Sequence, residues 1–371
     1  MTVFIDWLRV VQQHPDCPVW GSTRRIETDL DTGEVQWEVV RGESVRGSFD
    51  TGLYVRSTGT EVSVSGNPSK VARLDNLVGL TTLDACMDVY NAVLRDLGLP
   101  LFELQCVAST VGGFGGERVR IGPTITDVHV TRNLICGQGG DRAFLDWMSS
   151  QHLGRLPYTL KAETTVQAGT LARRQHQLYL KGPELREHAL KWRRARSPDK
   201  LEVKDEAVAY LERLIEYCEK NGVVRDEVKL GRKWLQENAF RYPEQWCEET
   251  ASRLHAENSE IETMNAGALS NYGSEVRAKL VGAGISERQA GLMANAVSGW
   301  LAGQVWDQGL GVRARQKYCK ALRQHCGLDL RRPSNVRALA VCVKPRVLEA
   351  RELEFTDLPD WYRWPQRREA A

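Results

Sequence analysis

The sequence lacks any apolar run near the roughly 20 residues that a helix needs to cross a bilayer, so no membrane span is expected. It also lacks a Cys-x-x-Cys pair. Its nine cysteines (Cys17, Cys86, Cys106, Cys136, Cys218, Cys247, Cys319, Cys326, Cys342) are scattered, which points away from a zinc ribbon or disulfide framework and toward reduced structural thiols. Charge of one sign is missing as well: the net charge is +2, so the whole-chain balance says nothing about nucleic acid. The glycine-rich stretch from Val111 to Gly116 has no Lys-Ser/Thr ending, which excludes a phosphate loop and suggests a hairpin tip. The opening MTVFIDWLRV has neither a basic n-region nor a small-residue cleavage site, so no secretory leader is expected. No repeat or low-complexity segment stands out. What remains is ordinary for a globular chain: with 42% apolar and 26% charged residues, 371 residues suffice for a large domain and a smaller one.

Periodicity divides the chain. Val35, Trp37 and Val39 alternate, as do Val62 and Val64, with turns at Asp31-Thr32-Gly33 and Gly66-Asn67-Pro68. Leu83, Met87, Tyr90, Leu94 and Leu97 recur at helical steps; Thr81 is a candidate cap, and Gly98 with Pro100 ends the helix. Strands are expected around 119–121, 125–134, 161–168, 175–181 and 223–230, with helices at 140–152, 184–195 and 203–220. Beyond residue 231 the pattern is mainly helical. This order predicts an α+β fold, with an antiparallel sheet, flanking helices and a smaller helical C-terminal domain. The expected division is 1–240, a boundary at 241–262, and 263–371.

Four of the expected strands alternate functional groups on one side. Asp127, His129 and Thr131 share a face, as do Glu163, Thr165 and Gln167; Gln177, Tyr179 and Lys181; and Arg225, Glu227 and Lys229. If the strands adjoin, His129, Glu163, Glu227, Tyr179 and Lys181 gather on one face. Carboxylates and an imidazole suit a hard divalent cation, and a tyrosine can attack phosphorus. A phenol of ordinary pKa near 10 needs a cationic field to ionise, from a metal or from Lys181. Each piece also has a plainer explanation, because polar residues on alternate strand positions often simply face water. The run Lys191-Trp192-Arg193-Arg194-Ala195-Arg196 offers phosphate contacts and a stacking ring, or a solvated helix end. Arg313, Arg315, Lys317, Lys320 and Arg323 pose the same choice.

Several of these stretches, in one order along the chain, resemble the filamentous-phage gene II replication initiators. Gly66-Asn67-Pro68-Ser69-Lys70-Val71 followed by Asn76-Leu77-Val78-Gly79 is similar to their Pro-x-Lys turn and Asn-x-x-Gly segment. Thr124 to Thr131 resembles their central strand, in which the coliphage proteins carry Asp at the place of His129. Glu163-Thr164-Thr165-Val166, Tyr179-Leu180-Lys181 with Glu184-Leu185, Val224 to Lys229, and Leu358-Pro359-Asp360-Trp361-Tyr362 resemble later family segments.

The resemblance implies a site- and strand-specific nicking and joining endonuclease of rolling-circle replication. It would act on double-stranded origin DNA and single-stranded viral DNA in the host cytoplasm. A host helicase and polymerase would be its partners, and assembly as an oligomer on the origin is a further option. Tyr179 would be the nucleophile, assisted by Lys181. Mg²⁺ or Mn²⁺ would be held by His129, Glu163 and Glu227, with Asp127 as the alternate. DNA contacts would come from Lys191, Trp192, Arg193, Arg194 and Arg196. The fold would be similar to that of the His-hydrophobe-His nucleases, although a single histidine stands where that pattern has two. Met264 sits where relatives start a shorter internal product. The competing reading is a DNA-binding replication regulator without chemistry.

Overall fold

The computed structural model describes residues 3–46, 52–71, 73–104, 107–111, 117–149, 151–194, 203–259, 261, 272–301, 305–307, 309–331 and 350–363. Arg196, Met264 and the glycine-rich tip at 112–116 lie outside these residues. At the centre is an antiparallel sheet. Its strands run side by side in the order Thr159–Ala162, Thr165–Gly169, Arg174–Leu180, Val223–Gly231, Thr124–Ile135, Phe4–Gln13, Glu61–Gly66, Gly52–Thr58 and Val19–Trp20. The expected α+β class is therefore what the chain adopts.

Alternation gives this sheet two unlike faces. Leu8, Val10, Val62, Val64, Val128, Val130, Val228 and Leu230 point to the back, where they form one core with the helix Leu83–Asp96. Tyr90 of that helix fixes the packing by donating its hydroxyl to the carbonyls of Leu8, at 2.6 Å, and Gly66, at 3.0 Å. The helix cap is Thr82, whose Oγ1 accepts from Ala85 N at 3.3 Å, and not Thr81. A second back-face core joins Val166, Leu178, Leu180 and Val224 to Phe144, Trp147 and Met148 of the helix Gly140–Ser149.

The front face is polar along the central strands. At one end it is closed by the helices Lys181–Arg193 and Lys204–Asn221, packed together through Leu185, Ala189, Trp192, Leu211 and Leu214. The first of these helices starts at Lys181, so the strand carrying Tyr179 ends one residue earlier than its alternation suggests. The helix Thr250–Ser259 lies on the back, adding Ala251 and Leu254 to the sheet core. Near the chain end, Arg351–Glu352 pairs with Leu134 and Ile135, while Leu353 enters the front-end core. The helices Tyr272–Gly282, Glu287–Leu301 and Val312–Cys326 share a core of their own around Leu280, Met293, Val297 and Leu322. Cys17, Cys86, Cys136, Cys218, Cys247 and Cys319 are free thiols.

Candidate active site on the front face

The ladder places the flagged strands next to one another. His129 lies opposite Lys229 on one side and Trp7 on the other; Glu227 lies opposite Thr131 and Gln177; Tyr179 lies opposite Arg225 and Thr165. All of these share the front. A bulge between Ile5 and Trp7 lets two successive residues, Asp6 and Trp7, both reach it. Trp7 stacks on His129 with ring centroids 6.0 Å apart, and Asp6 meets the Arg225 guanidinium at 3.4 Å.

His129 joins two carboxylates. Its Nδ1 lies 2.7 Å from Glu227 Oε1, and its Nε2 lies 3.6 Å from Asp127 Oδ1. Burial opposes charging the imidazole, but the two carboxylates outweigh that and raise its pKa above the ordinary value. Burial likewise pushes Glu227 up, yet its hydrogen bond with His129, aided by Lys229 and Arg225, holds it well below the usual carboxylate range. Ionised Glu227 therefore accepts from Nδ1–H. Nε2 is buried and has no hydrogen-bond partner among the described residues.

Tyr179 is half-buried, and its phenol forms no hydrogen bond among the described residues. That sets it apart from Tyr90, Tyr158, Tyr210, Tyr217 and Tyr362, whose hydroxyls are all engaged internally. Burial raises the Tyr179 pKa well above 10; Arg225 pulls the other way, and Glu227, Asp6 and Glu184 push it further up. At neutral pH the phenol is protonated.

Arg225 is fully buried, donates to the Asn76 carbonyl at 2.6 Å, and lies over the Phe4 ring at 5.0 Å. Asn67 and Asn76 donate to the same Asp6 oxygen at 2.5 and 2.7 Å. Alternation puts Arg225 on this face, but Asp6 and Asn76 are site residues that alternation alone does not single out, since their roles depend on a bulge and a distant loop. The Asn-x-x-Gly segment containing Asn76 is the signal that could have found them.

Lys181 is not an open cation beside the phenol. Its Nζ donates to Asn76 Oδ1 and to Glu184 Oε2, each at 2.7 Å, in a fully buried position. Glu184 also meets His188 at 3.3 Å, and Lys70 Nζ lies 3.0 Å from His188 Nδ1. Burial pushes Glu184 up, but Lys181 and His188 reverse this and bring its pKa down to about 2. Burial lowers Lys70 to about 8 and His188 to about 4.

Glu163 is not brought to this group. It sits exposed in the turn between Thr159–Ala162 and Thr165–Gly169, where alternation predicts a continuous strand. Of the basic run, Lys191, Arg193 and Arg194 are exposed, and Arg193 is ion-paired with Glu212; Trp192 is packed into the helical core and offers no stacking surface.

Among the described residues, no three His, Cys, Asp or Glu side chains already converge on one point. The donor chemistry nevertheless fits a hard cation at the orphaned His129 Nε2 and neighbouring Asp127. A Mg²⁺-type ion needs only one or two carboxylates and keeps several waters, while a ligating histidine gives its other N–H to an outer carboxylate. Glu227 occupies that outer position.

Comparison with known proteins supplies the affiliation. A family model described as the N-terminal part of the phage replication-associated protein, the gene II product, matches residues 4–249, which takes in the front-face residues above. The replication-associated protein of Escherichia phage If1 is 28% identical over 326 residues, covering 84% of this chain and 98% of that protein. The protein of the same name from Enterobacteria phage I2-2 is 33% identical over 138 residues, covering 33% of this chain and 39% of that one. The chain belongs to the filamentous-phage gene II family of replication-associated proteins.

Proposed function

We propose that the protein initiates rolling-circle replication of phage DNA by cutting one strand at the origin through Tyr179. The Tyr179 oxygen attacks the scissile phosphorus, the P–O3′ bond breaks, and the 3′ oxygen leaves as a hydroxyl with a proton from water. The 5′ phosphate stays on the tyrosine as a phosphodiester, and the phenol proton passes to solvent. Joining is the reverse: a 3′ hydroxyl attacks the phosphotyrosine and the phenol regains its proton.

The observation that carries this reading is the unengaged Tyr179 phenol on a polar face, opposite a buried arginine. Arg225 donates to the Asn76 carbonyl and its Nη1 faces Asp6 at 3.4 Å, while its Nε has no hydrogen-bond partner among the described residues, so the guanidinium adds positive field beneath the phosphate. Lys181 and Asn76 act through position: they tie the start of the helix Lys181–Arg193 to the loop that holds Arg225 and Asp6. Asp127 and His129 would hold Mg²⁺ or Mn²⁺, with Glu227 orienting the imidazole; a bound ion would polarise the phosphodiester and add positive field at the phenol.

The test is a supercoiled plasmid carrying the cognate origin, incubated with protein and Mg²⁺ or Mn²⁺. Relaxed circles with a protein–DNA adduct at Tyr179 are expected. Origin binding with no nicking under either ion would favour a regulator without chemistry.

A further inference from the structure

The front face does not end at Asp127. Across the ladder, Asp127 is opposite Arg9, Arg9 is opposite Ser65, and Ser65 is opposite Tyr54, so these four side chains form a row leading away from His129. At about 4.8 Å per strand, Tyr54 lies about 14 Å from Asp127. Above the far end of this row stands the hairpin Thr23–Thr28/Val35–Arg41. Between hairpin and sheet is a cavity of about 470 Å³, lined by Arg9, Arg25, Arg41, Arg56, Tyr54 and Ser65 among others. That volume falls in the ~300–1,000 Å³ range of ligand clefts.

Its chemistry is one-sided. Among the described residues, no carboxylate lines it. Arg56 is ion-paired with Glu61 at 2.6 Å, whereas Arg9, Arg25 and Arg41 form no ion pair among the described residues. Uncompensated guanidiniums held near one another repel unless an anion joins them. Tyr54 adds an aromatic ring that is 42% exposed, and Trp37, two residues before Val39 of the lining, is 46% exposed. The hairpin is tied close to the sheet at its base, where a Cβ on Gly42 would lie 2.4 Å from the Val55 carbonyl.

We propose that this arginine-lined cleft binds a stretch of single-stranded DNA beyond the Asp127 end of the front face, with Arg9, Arg25 and Arg41 on backbone phosphates and Tyr54 stacked on a base. Clustered cations beside an exposed ring are the combination that holds single strands without reading their sequence. The proposal rests on the strand-cutting reading above, but binding is measurable without chemistry.

The experiment uses the full chain with Tyr179→Phe, so that no covalent adduct forms, and a fluorescein-labelled single-stranded oligonucleotide followed by anisotropy over a salt series. Replacing Arg9, Arg25 and Arg41 together by Gln should weaken binding about 10–1,000-fold and flatten the log–log salt slope by about 2, given a contribution of about 0.7 per phosphate contact on single strands. The matching Arg→Lys triple variant should recover most of the affinity, and Tyr54→Ala should lose affinity without changing the salt slope. Unchanged affinity and slope in the folded triple-Gln variant, verified by circular dichroism, overturn the proposal. So does a loss confined to duplex probes. Nicking by the parent protein is scored separately: strand binding that depends on the cleft, in a protein that never nicks, sinks the strand-cutting reading and leaves the cleft assignment standing.

Discussion

Asp226→Asn tests how the front face is held in place. Asp226 lies between Arg225 and Glu227 on the Val223–Gly231 strand and points to the back, where it is fully buried. Arg132 Nε donates to its Oδ2 at 2.9 Å, His176 Nε2 lies 2.5 Å from Oδ1, and His255 Nε2 lies 3.4 Å from the same oxygen. Tyr158 engages the other nitrogen of His176, extending the network to the Gly140–Ser149 side of the sheet. Burial pushes the Asp226 pKa up, but His255 and His176 outweigh it and hold the carboxyl well below the usual range. The Asn side chain keeps the shape and removes the charge, leaving the buried Arg132 cation without its counterion. Breaking such a pair costs roughly 3–5 kcal/mol. At about 2–4 °C per kcal/mol for a body of this size, the melting temperature should fall by about 6–20 °C. Calorimetry across pH adds a sign. Because the folded-state pKa is depressed, the carboxylate's contribution is complete above about pH 4 and fades as pH falls through the folded value. The gap between parent and variant should therefore shrink in acid. A loss under about 1 kcal/mol, or a gap that stays constant into acid, refutes the reasoning.

Other outcomes follow from the same geometry. Gly222 has φ 59° and an added Cβ would lie 2.1 Å from the Gly137 carbonyl, so Gly222→Ala should destabilise by at least about 1–2 kcal/mol in urea titration. Burial lowers His188 to about 4, with Glu184 raising it and Lys70 lowering it; Lys70→Met should therefore raise the His188 titration seen by NMR, and an unmoved midpoint contradicts the contact. Glu227→Gln should cut nicking at least about 10-fold while leaving origin affinity within about twofold, since an outer carboxylate partner typically matters about 10–100-fold to a metal site. Equal losses in binding and cleavage would instead mark Glu227 as a structural anchor.

The sheet was legible in the sequence because its strands obey simple alternation, as the register of His129, Glu227 and Tyr179 demonstrates. Glu163 escapes that logic: Thr164 and Thr165 read as strand formers, but the chain reverses there, and no local residue pattern announces it. Lys181 falls in the next element because the strand runs directly into the helix, with no side-chain cap at Leu180 to mark the change. Trp192 in a basic run reads as a surface ring, yet the helix turns it inward, into the core that also holds Leu185 and Leu211. Asp6 required the bulge at Ile5/Trp7, and the arginine cleft required the hairpin to fold over the sheet; both depend on long-range pairing that periodicity does not encode. The tail matched by Pro359-Asp360-Trp361-Tyr362 has a structural meaning too: Trp361 packs edge-on against Tyr210, and Tyr362 donates to Asp75 at 2.8 Å.

The most direct test of the account is the Tyr179→Phe variant on supercoiled origin DNA. It removes one oxygen, and that oxygen has no hydrogen bond to lose among the described residues, so the fold and origin affinity should be retained. Nicking and the covalent adduct, mapped by mass spectrometry of the DNA-linked peptide, should both vanish. A variant that still nicks at the parental rate, or an adduct on another residue, would contradict it.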